Sequence, residues 1–254
     1  LGAAFYAKSP QGETVSDAGQ RRKGHATRAE RAMTAALGDL GGHSGQMTGQ
    51  IRLGAPDGSA NYLLPQVCAQ IVADNPDLEV QIVALPRVFN LSKREADMAI
   101  AVSRPTAGRL TVQKLTDYRL HFAAARRYIV NNPSITCIED LKQHRIVGYI
   151  PDLIFDKELD YLSELGIERI ALASNSGSVQ LNWVRQGGGV GIVHDFAMPS
   201  ARGLRKVLPG QVSLTRSFYL IRHAGDRRHE RLNRFAAALA DGVRREVARL
   251  EALT

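Results

Sequence analysis

Only two cysteines stand in the 254 residues, Cys68 and Cys137, far apart and without metal or redox spacing. Two reduced thiols in a cytosolic protein are therefore expected. A redox-sensing pair is the alternative, and the apolar helix face around Cys68 speaks against it. No apolar run is long enough to span a bilayer, and no positively charged leader precedes a hydrophobic segment, so neither membrane insertion nor secretion is expected. Enzyme signatures are missing as well. His229-Glu230-Arg231-Leu232-Asn233 has Asn233 where a zinc HExxH needs its second histidine. Gly187-Gly188-Gly189-Val190-Gly191 precedes a strand instead of following one, which suits a tight helix-to-strand turn and not a dinucleotide loop. Ser174-Asn175-Ser176-Gly177-Ser178 lacks nucleophile-elbow spacing and reads as a helix cap. His194 ends a strand facing a cleft and, alone, reads as a structural hydrogen bonder. No catalytic residue, metal ligand or cofactor is expected.

The hydrophobic share of 44% is that of a globular chain, long enough for one large or two small domains with a real core. The net charge of +8 is uneven: residues 1–50 carry +2, residues 51–200 carry −1 and residues 201–254 carry +7. Arg227, Arg228, Arg231, Arg234, Arg244, Arg245 and Arg249 share a helix with an apolar face of Leu232, Phe235, Ala236, Leu239, Val243, Val247 and Leu250. That basic face is either simply solvated or a phosphate-binding surface.

Gln50 to Ile82 reads as a strand, helix and strand unit. Ile51 and Leu53 alternate into Gly54-Ala55, Pro56-Asp57-Gly58-Ser59 supplies a turn and cap, and Leu63, Leu64, Val67, Cys68, Ile71 and Val72 follow at helical spacing from about Ser59. Asn75-Pro76-Asp77 breaks the helix, and Leu78, Val80 and Ile82 alternate as the next strand. Upstream, Ser16 or Asp17 caps a helix whose Ala26, Ala29, Met33, Ala36 and Leu40 fall three and four residues apart, a narrow coiled-coil seam or the packed face of a single amphipathic helix. Gly41-Gly42-His43-Ser44-Gly45 then reads as a hinge.

Downstream, Leu85-Pro86-Arg87-Val88 is a turn, Asp97 to Val102 a strand, and Leu110 to Leu115 and Leu120 to Ala125 two extended segments. A new cycle follows: helix near Ile138 to Leu141, strand Arg145 to Tyr149, helix Phe155 to Leu165, strand Arg169 to Ala173, helix Ser176 to Gln186 and strand Val190 to Val193. Arg216 to Arg222 returns as a strand before the basic helix. The fold class is α/β: two doubly wound lobes joined by two crossover strands.

Leu64-Pro65 after a strand ending in glycine, the Asn75-Pro76 break and Arg94-Glu95-Ala96-Asp97-Met98-Ala99-Ile100 resemble the effector-binding domain of LysR-type transcriptional regulators. The opening LGAAFYAKSPQGETVSDAG resembles that family's LGxxLFxRxxxGxxLTxAG, the end of a winged helix-turn-helix, with Lys8 where arginine is usual. The resemblance implies four segments: a wing remnant over 1–16, a linker helix and hinge over 17–48, lobe I over 49–118 and 216–254, and lobe II over 119–215, built like a type 2 periplasmic binding protein. It implies DNA as partner through the full-length protein, with Lys8, Ser9 and Gln11 of the wing near phosphates. It also implies a homodimer or homotetramer paired through Ala26, Ala29, Met33, Ala36 and Leu40, and a cytoplasmic location. Starting after the recognition helix, the chain is expected not to read DNA sequence itself. A solute-binding protein of a transporter and an enzyme of the same fold are the competing readings.

A small anionic metabolite is expected between the lobes, against Gly58, Ser59, Arg87, Val102 and Ser103 on one side and Tyr149, Ile150, Pro151, Asn175 and Ser176 on the other. Helix amides and serine hydroxyls favour an anion there, and Arg87 could clamp a carboxylate or be a solvated turn residue. Asp57 is the exception. If its carboxylate faces the pocket instead of capping its helix, it repels an anion and favours an amine or neutral ligand. The seam gives the first test: sedimentation should show a dimer or larger, and a monomer at tens of micromolar, where an interface stronger than roughly −7 kcal/mol is populated, counts against it.

Overall fold

The computed structural model describes residues 6–9, 12–16, 18, 19, 21, 22, 25, 26, 29, 33, 46–84, 96–106 and 108–254. They divide into two compact units, 1–49 and 50–254. In the first, β1 (Tyr6–Ser9) and β2 (Gly12–Val15) form an antiparallel hairpin, so Lys8 and Ser9 lie on a strand. The Ser16 hydroxyl accepts from the Gly19 amide at 3.1 Å, the cap expected there. Ala26, Ala29 and Met33 are helical and exposed, Met33 at 70%. Gln11, Asp17, Ala36, Leu40 and Arg87 lie outside the described residues.

The second unit is organised on one mixed sheet. Its elements are β3 (Gly49–Ala55), α1 (Asp57–Tyr62), α2 (Leu64–Ala73), β4 (Leu78–Ala84), β5 (Met98–Ala101), β6 (Leu110–Ala125), α3 (Arg126–Val130), β7 (Ile146–Gly148), β8 (Leu172–Ala173), α4 (Gly177–Arg185), β9 (Val190–His194), β10 (Leu204–Val207), β11 (Leu214–His223) and α5 (Glu230–Glu251). The sheet order is β4-β3-β5-β11-β6-β9-β7-β8, with β10 on β6. β3 with β5, and β7 with β8 and β9, are parallel. These strands are short apolar runs because both their faces are covered. Between the parallel halves runs the antiparallel pair β6–β11, paired from Leu214↔Leu120 to His223↔Leu110. The two extended segments read at 110–115 and 120–125 are thus one 16-residue strand, and the two sheets expected are halves of one.

Other expectations shift for local reasons. The helix read from about Ser59 starts at Asp57 and breaks at Leu63, where φ is −125°. Pro65, in the first turn of α2, has no N–H with which to continue the ladder. The helix expected over Phe155 to Leu165 is two 3-10 turns, Lys157–Leu159 and Ser163–Leu165, with a third, Pro151–Leu153, just before it. Carboxylates of Asp156 and Asp160 accept from the Glu158 and Ser163 amides at 3.0 and 3.4 Å, offering the backbone an alternative to a helix. The periodicity had caught burial, since Leu159, Tyr161 and Leu162 are all buried. Only Leu172 and Ala173 of the strand read at 169–173 are paired. Arg227 and Arg228 precede the basic helix, in the 3-10 turn Ala224–Arg228. Neither α3 nor β10 was foreseen.

α5 buries Leu232, Phe235, Ala236, Leu239, Ala240, Val243, Val247 and Leu250 at three- and four-residue spacing. Its far end is tied to β6, where Glu251 accepts from the Arg119 amide at 2.7 Å and from Arg119 Nε at 3.0 Å. The helix approaches α2 so closely that a Cβ at Gly242 would lie 2.5 Å from Val67 Cγ1. Gly242→Ala should therefore lower the melting temperature. Overpacking against a stiff valine costs about 1–3 kcal/mol and outweighs the ~1 kcal/mol gain in helix propensity. In a Val67→Ala background the same change should be neutral or stabilising; a higher melting temperature for Gly242→Ala alone refutes the contact.

Candidate functional site

The carboxyl ends of β3, β5, β7 and β9 carry the residues that converge. β3 ends at Ala55, and Pro56 turns the chain into α1 with extended φ and ψ and no side-chain cap. Asp57, in the first turn, is thereby left to reach across to the other half of the sheet. Its Oδ2 accepts from Ser176 Oγ at 2.9 Å and from the Ser178 amide at 2.8 Å, and its Oδ1 from Asn61 Nδ2 at 3.0 Å. Ser176 is the N-cap of α4, its Oγ accepting from the Val179 amide at 3.2 Å. The carboxylate therefore sits at the positive end of that helix, capping a helix 120 positions away and not its own.

Beside it lies a cavity walled by Pro56, Asp57, Gly58, Ser59 and Val102 from one half of the sheet and by Tyr149, Asn175 and His194 from the other, with Phe155, Leu159 and Phe218 completing it. Its space is about 350 Å³ with the solvent-facing mouth included, and the walls leave room for little more than a water molecule. A second cavity, which also touches Tyr149 and His194, adds Tyr62, Tyr161, Gly177 and Gln180. Phe218 is placed by the irregularity in the β6–β11 register between Phe218 and Tyr219. Its ring stacks on Tyr118 at 4.1 Å.

His194 is the centre of this arrangement. Its ring lies against Gly58, where a Cβ would stand 3.0 Å from Cε1, so any larger residue at the helix start would push the ring back by a few tenths of an ångström. The ring also meets Tyr118 at 5.5 Å and Phe196 at 4.9 Å, centroid to centroid. Its nitrogens make no hydrogen bond to any described residue. Burial pushes its pKa down to about 4, against opposing pulls from Asp57 and Asp195, so the imidazole is neutral near pH 7. Burial, reinforced for Tyr149 by the Asp57 charge, raises Tyr149 and Tyr161, which keep their protons. The buried hydroxyls of Tyr118 and Tyr161 lack a well-formed hydrogen bond among the described residues.

Of the residues expected at the site, Gly58, Ser59, Val102, Tyr149 and Asn175 line the cavity. Ser59 is 1% exposed and its hydroxyl donates to the Pro56 carbonyl at 2.9 Å, while the Ser103 hydroxyl donates to Asp156. Ser176 is engaged by Asp57. Ile150 and Pro151 line neither cavity, because the chain turns away into the 3-10 turn at Pro151. Of the donors expected to hold an anion, the Ser59, Ser103 and Ser176 hydroxyls already serve Pro56, Asp156 and Asp57, while the Gly58 and Ser59 amides are engaged by no described residue, and the Asp57 carboxylate faces the cavity. Sequence reasoning missed Phe155, Leu159 and Phe218, which have no local signal, and gave His194 a structural role although it ends a strand at the cleft. No group of three or more His, Cys, Asp or Glu suited to a metal occurs among the described residues, and none of their helices is long and apolar enough to cross a membrane. Cys68 is buried and Cys137 half-buried, both free.

Four likenesses bear on this site. Residues 44–244 match the LysR substrate binding domain. The chain is 24% identical over 258 residues to the HTH-type transcriptional regulator PtxR of Pseudomonas aeruginosa, covering 98% of this chain and 82% of that protein. It is 22% identical over 201 residues to the HTH-type transcriptional activator TtdR of Escherichia coli K12, covering 75% of this chain and 63% of that one. The solved structure of CrgA, a LysR-type transcriptional regulator from Neisseria meningitidis, shares the fold with a TM-score of 0.67 at 18% identity, over 95% of this chain and 84% of its own.

The neutral state of His194 has a thermodynamic consequence. Folded His194 titrates near 4 and the unfolded residue near 6.5, so between these values the unfolded chain holds the extra proton. The stability is complete above about pH 6.5 and falls as pH drops through this window, by roughly 1–3 kcal/mol. Urea unfolding at pH 7 and pH 4.5 should show a smaller acid loss in His194→Gln than in the unaltered chain; equal losses refute the assignment.

Proposed function

Since the chain belongs to the LysR family of transcriptional regulators, whose substrate binding domain its residues 44–244 match, we propose that it senses a small-molecule effector in the cavity between the two halves of its sheet. The full-length protein would hold DNA and couple its readout to that occupancy. The observation that carries this reading is the origin of the cavity walls. Gly58, Ser59 and Val102 come from one half and Tyr149, Asn175 and His194 from the other, so anything seated there changes how the halves meet, and its binding energy biases one arrangement over another. The limits 49–118 with 216–254, and 119–215, are the two lobes of this proposal. Self-association as a dimer or tetramer through the helical positions Ala26, Ala29 and Met33 is part of it, their exposure being what a pairing face requires. The relatives compared are transcriptional regulators, which favours this reading.

Asn175 tests the site with least disturbance, because its side chain makes no hydrogen bond to any described residue and lines the cavity. A thermal-shift screen of small metabolites should find one that stabilises the chain. Asn175→Leu should reduce that shift at least severalfold while leaving the unligated melting temperature within a few degrees. A stabilising metabolite whose shift is the same in Asn175→Leu places the effector elsewhere.

A further inference from the structure

The serine hydroxyls around the cavity are spent, and its one carboxylate is the charge that a ligand meets. Ser59, Ser103 and Ser176 donate their hydroxyls to Pro56, Asp156 and Asp57, and the Ser178 amide also goes to Asp57. The Tyr149 hydroxyl, the Asn175 NH2, the N–H of the neutral His194 ring and the Gly58 and Ser59 amides remain. Against this stand three acceptors: Asp57 Oδ1, which receives only the Asn61 amide, a ring nitrogen of the neutral His194, and the side-chain carbonyl of Asn175. All three partners of Asp57 give it protons, which is the bonding of a carboxylate. Among the described residues, which do not include Arg87, no lysine or arginine lines either cavity. Arg216, over the Tyr161 ring, is already paired with Glu158 and Glu164 at 3.0 Å each. The groups converge where a side chain is missing. A Cβ at Gly177, in the wall of the neighbouring cavity, would lie 3.7 Å from Tyr149 Oη, 3.9 Å from His194 Cε1 and 4.0 Å from the Asp57 Oδ2 that Ser176 and Ser178 engage, so the glycine leaves open a point beside the carboxylate, the imidazole and the phenol.

We propose that the effector is a small primary amine with an apolar body, admitted as the two halves of the sheet part to widen this water-sized cavity, its ammonium group held by Asp57, His194 and Asn175. An ammonium has three N–H donors, one for each of these three acceptors. Its charge would be met by the one carboxylate, at a depth where the pair is screened little by salt. Val102, Phe155, Leu159 and Phe218 supply the apolar wall, and the aromatic faces there favour a cation further. A carboxylate ligand would have to expel Asp57 from Ser176 and Ser178, and would meet its charge if it did not. This inference rests on the effector reading of the cavity and adds the chemical class to it.

The test is calorimetry on the 254-residue chain with benzylamine and isobutylamine, alongside the carboxylates and alcohols of the same shape. An amine should bind at least tenfold more tightly than its carboxylate and its alcohol, and Asp57→Asn should lose at least tenfold for the amine and little for the alcohol. Asp57 also joins the two halves of the sheet, so Gly177→Ala serves as the second variant. Its new Cβ makes only ordinary contacts, yet it fills the open point and should also weaken the amine tenfold. Silence from both amines at millimolar concentration, or amine binding unchanged in both variants, overturns the proposal. A carboxylate or alcohol that binds best and is weakened by Asn175→Leu overturns the amine class while sustaining the site, whereas a ligand indifferent to all three variants overturns the site as well.

Discussion

The antiparallel pairing of β6 with β11 is the constraint on which the rest of the second unit hangs. A strand of 16 residues is long enough to pair with β11 along the first half of the sheet and with β9 and β10 in the second. Everything at the site is measured from it. β5 pairs with β11, β3 with β5, and β9 with β6, so the carboxyl ends that carry Asp57, Val102 and His194 are fixed relative to one another through main-chain hydrogen bonds. The register irregularity between Phe218 and Tyr219 lies on this pair, and Phe218 reaches the cavity from it.

A second layer of polar contacts crosses the same span. Asp57 joins α1 to α4, Ser103 joins the end of β5 to Asp156, and Arg216 joins β11 to Glu158 and Glu164. Elsewhere, a buried network holds β6, β9 and β10 together: Asp195, fully buried, meets His121 Nδ1 and Lys206 Nζ at 2.8 Å each. Such pairs are specific rather than strongly stabilising, since desolvation offsets much of their attraction.

Much of the architecture was legible because it follows from short-range chemistry. The Ser176 cap, the triglycine turn before β9, the Asn75-Pro76 break and the apolar face of the last helix are all set by residues within a turn of one another. At Gly189 the turn reading has a hard reason: a Cβ there would stand 2.1 Å from the Arg145 carbonyl oxygen. Where the reading failed, local alternatives of similar energy competed. Asp156 and Asp160 turn a helical pattern into 3-10 turns, and a strand of two paired residues at Leu172–Ala173 leaves no period to detect.

The site divides along the same line. The sequence by itself determined that strand ends would carry Gly58, Ser59, Val102, Tyr149 and Asn175, because strand–helix alternation puts small and polar turn residues at the carboxyl edge of a parallel sheet. Only the tertiary structure decided which of them keep a free hydrogen-bonding group. Ser59 spends its hydroxyl on a carbonyl three residues back, whereas Asp57 spends its carboxylate on a helix 120 positions along the chain. No local pattern distinguishes a side chain that caps its own helix from one that caps another. The difference lies in where β6 and β11 bring α4, and that is a property of long-range pairing.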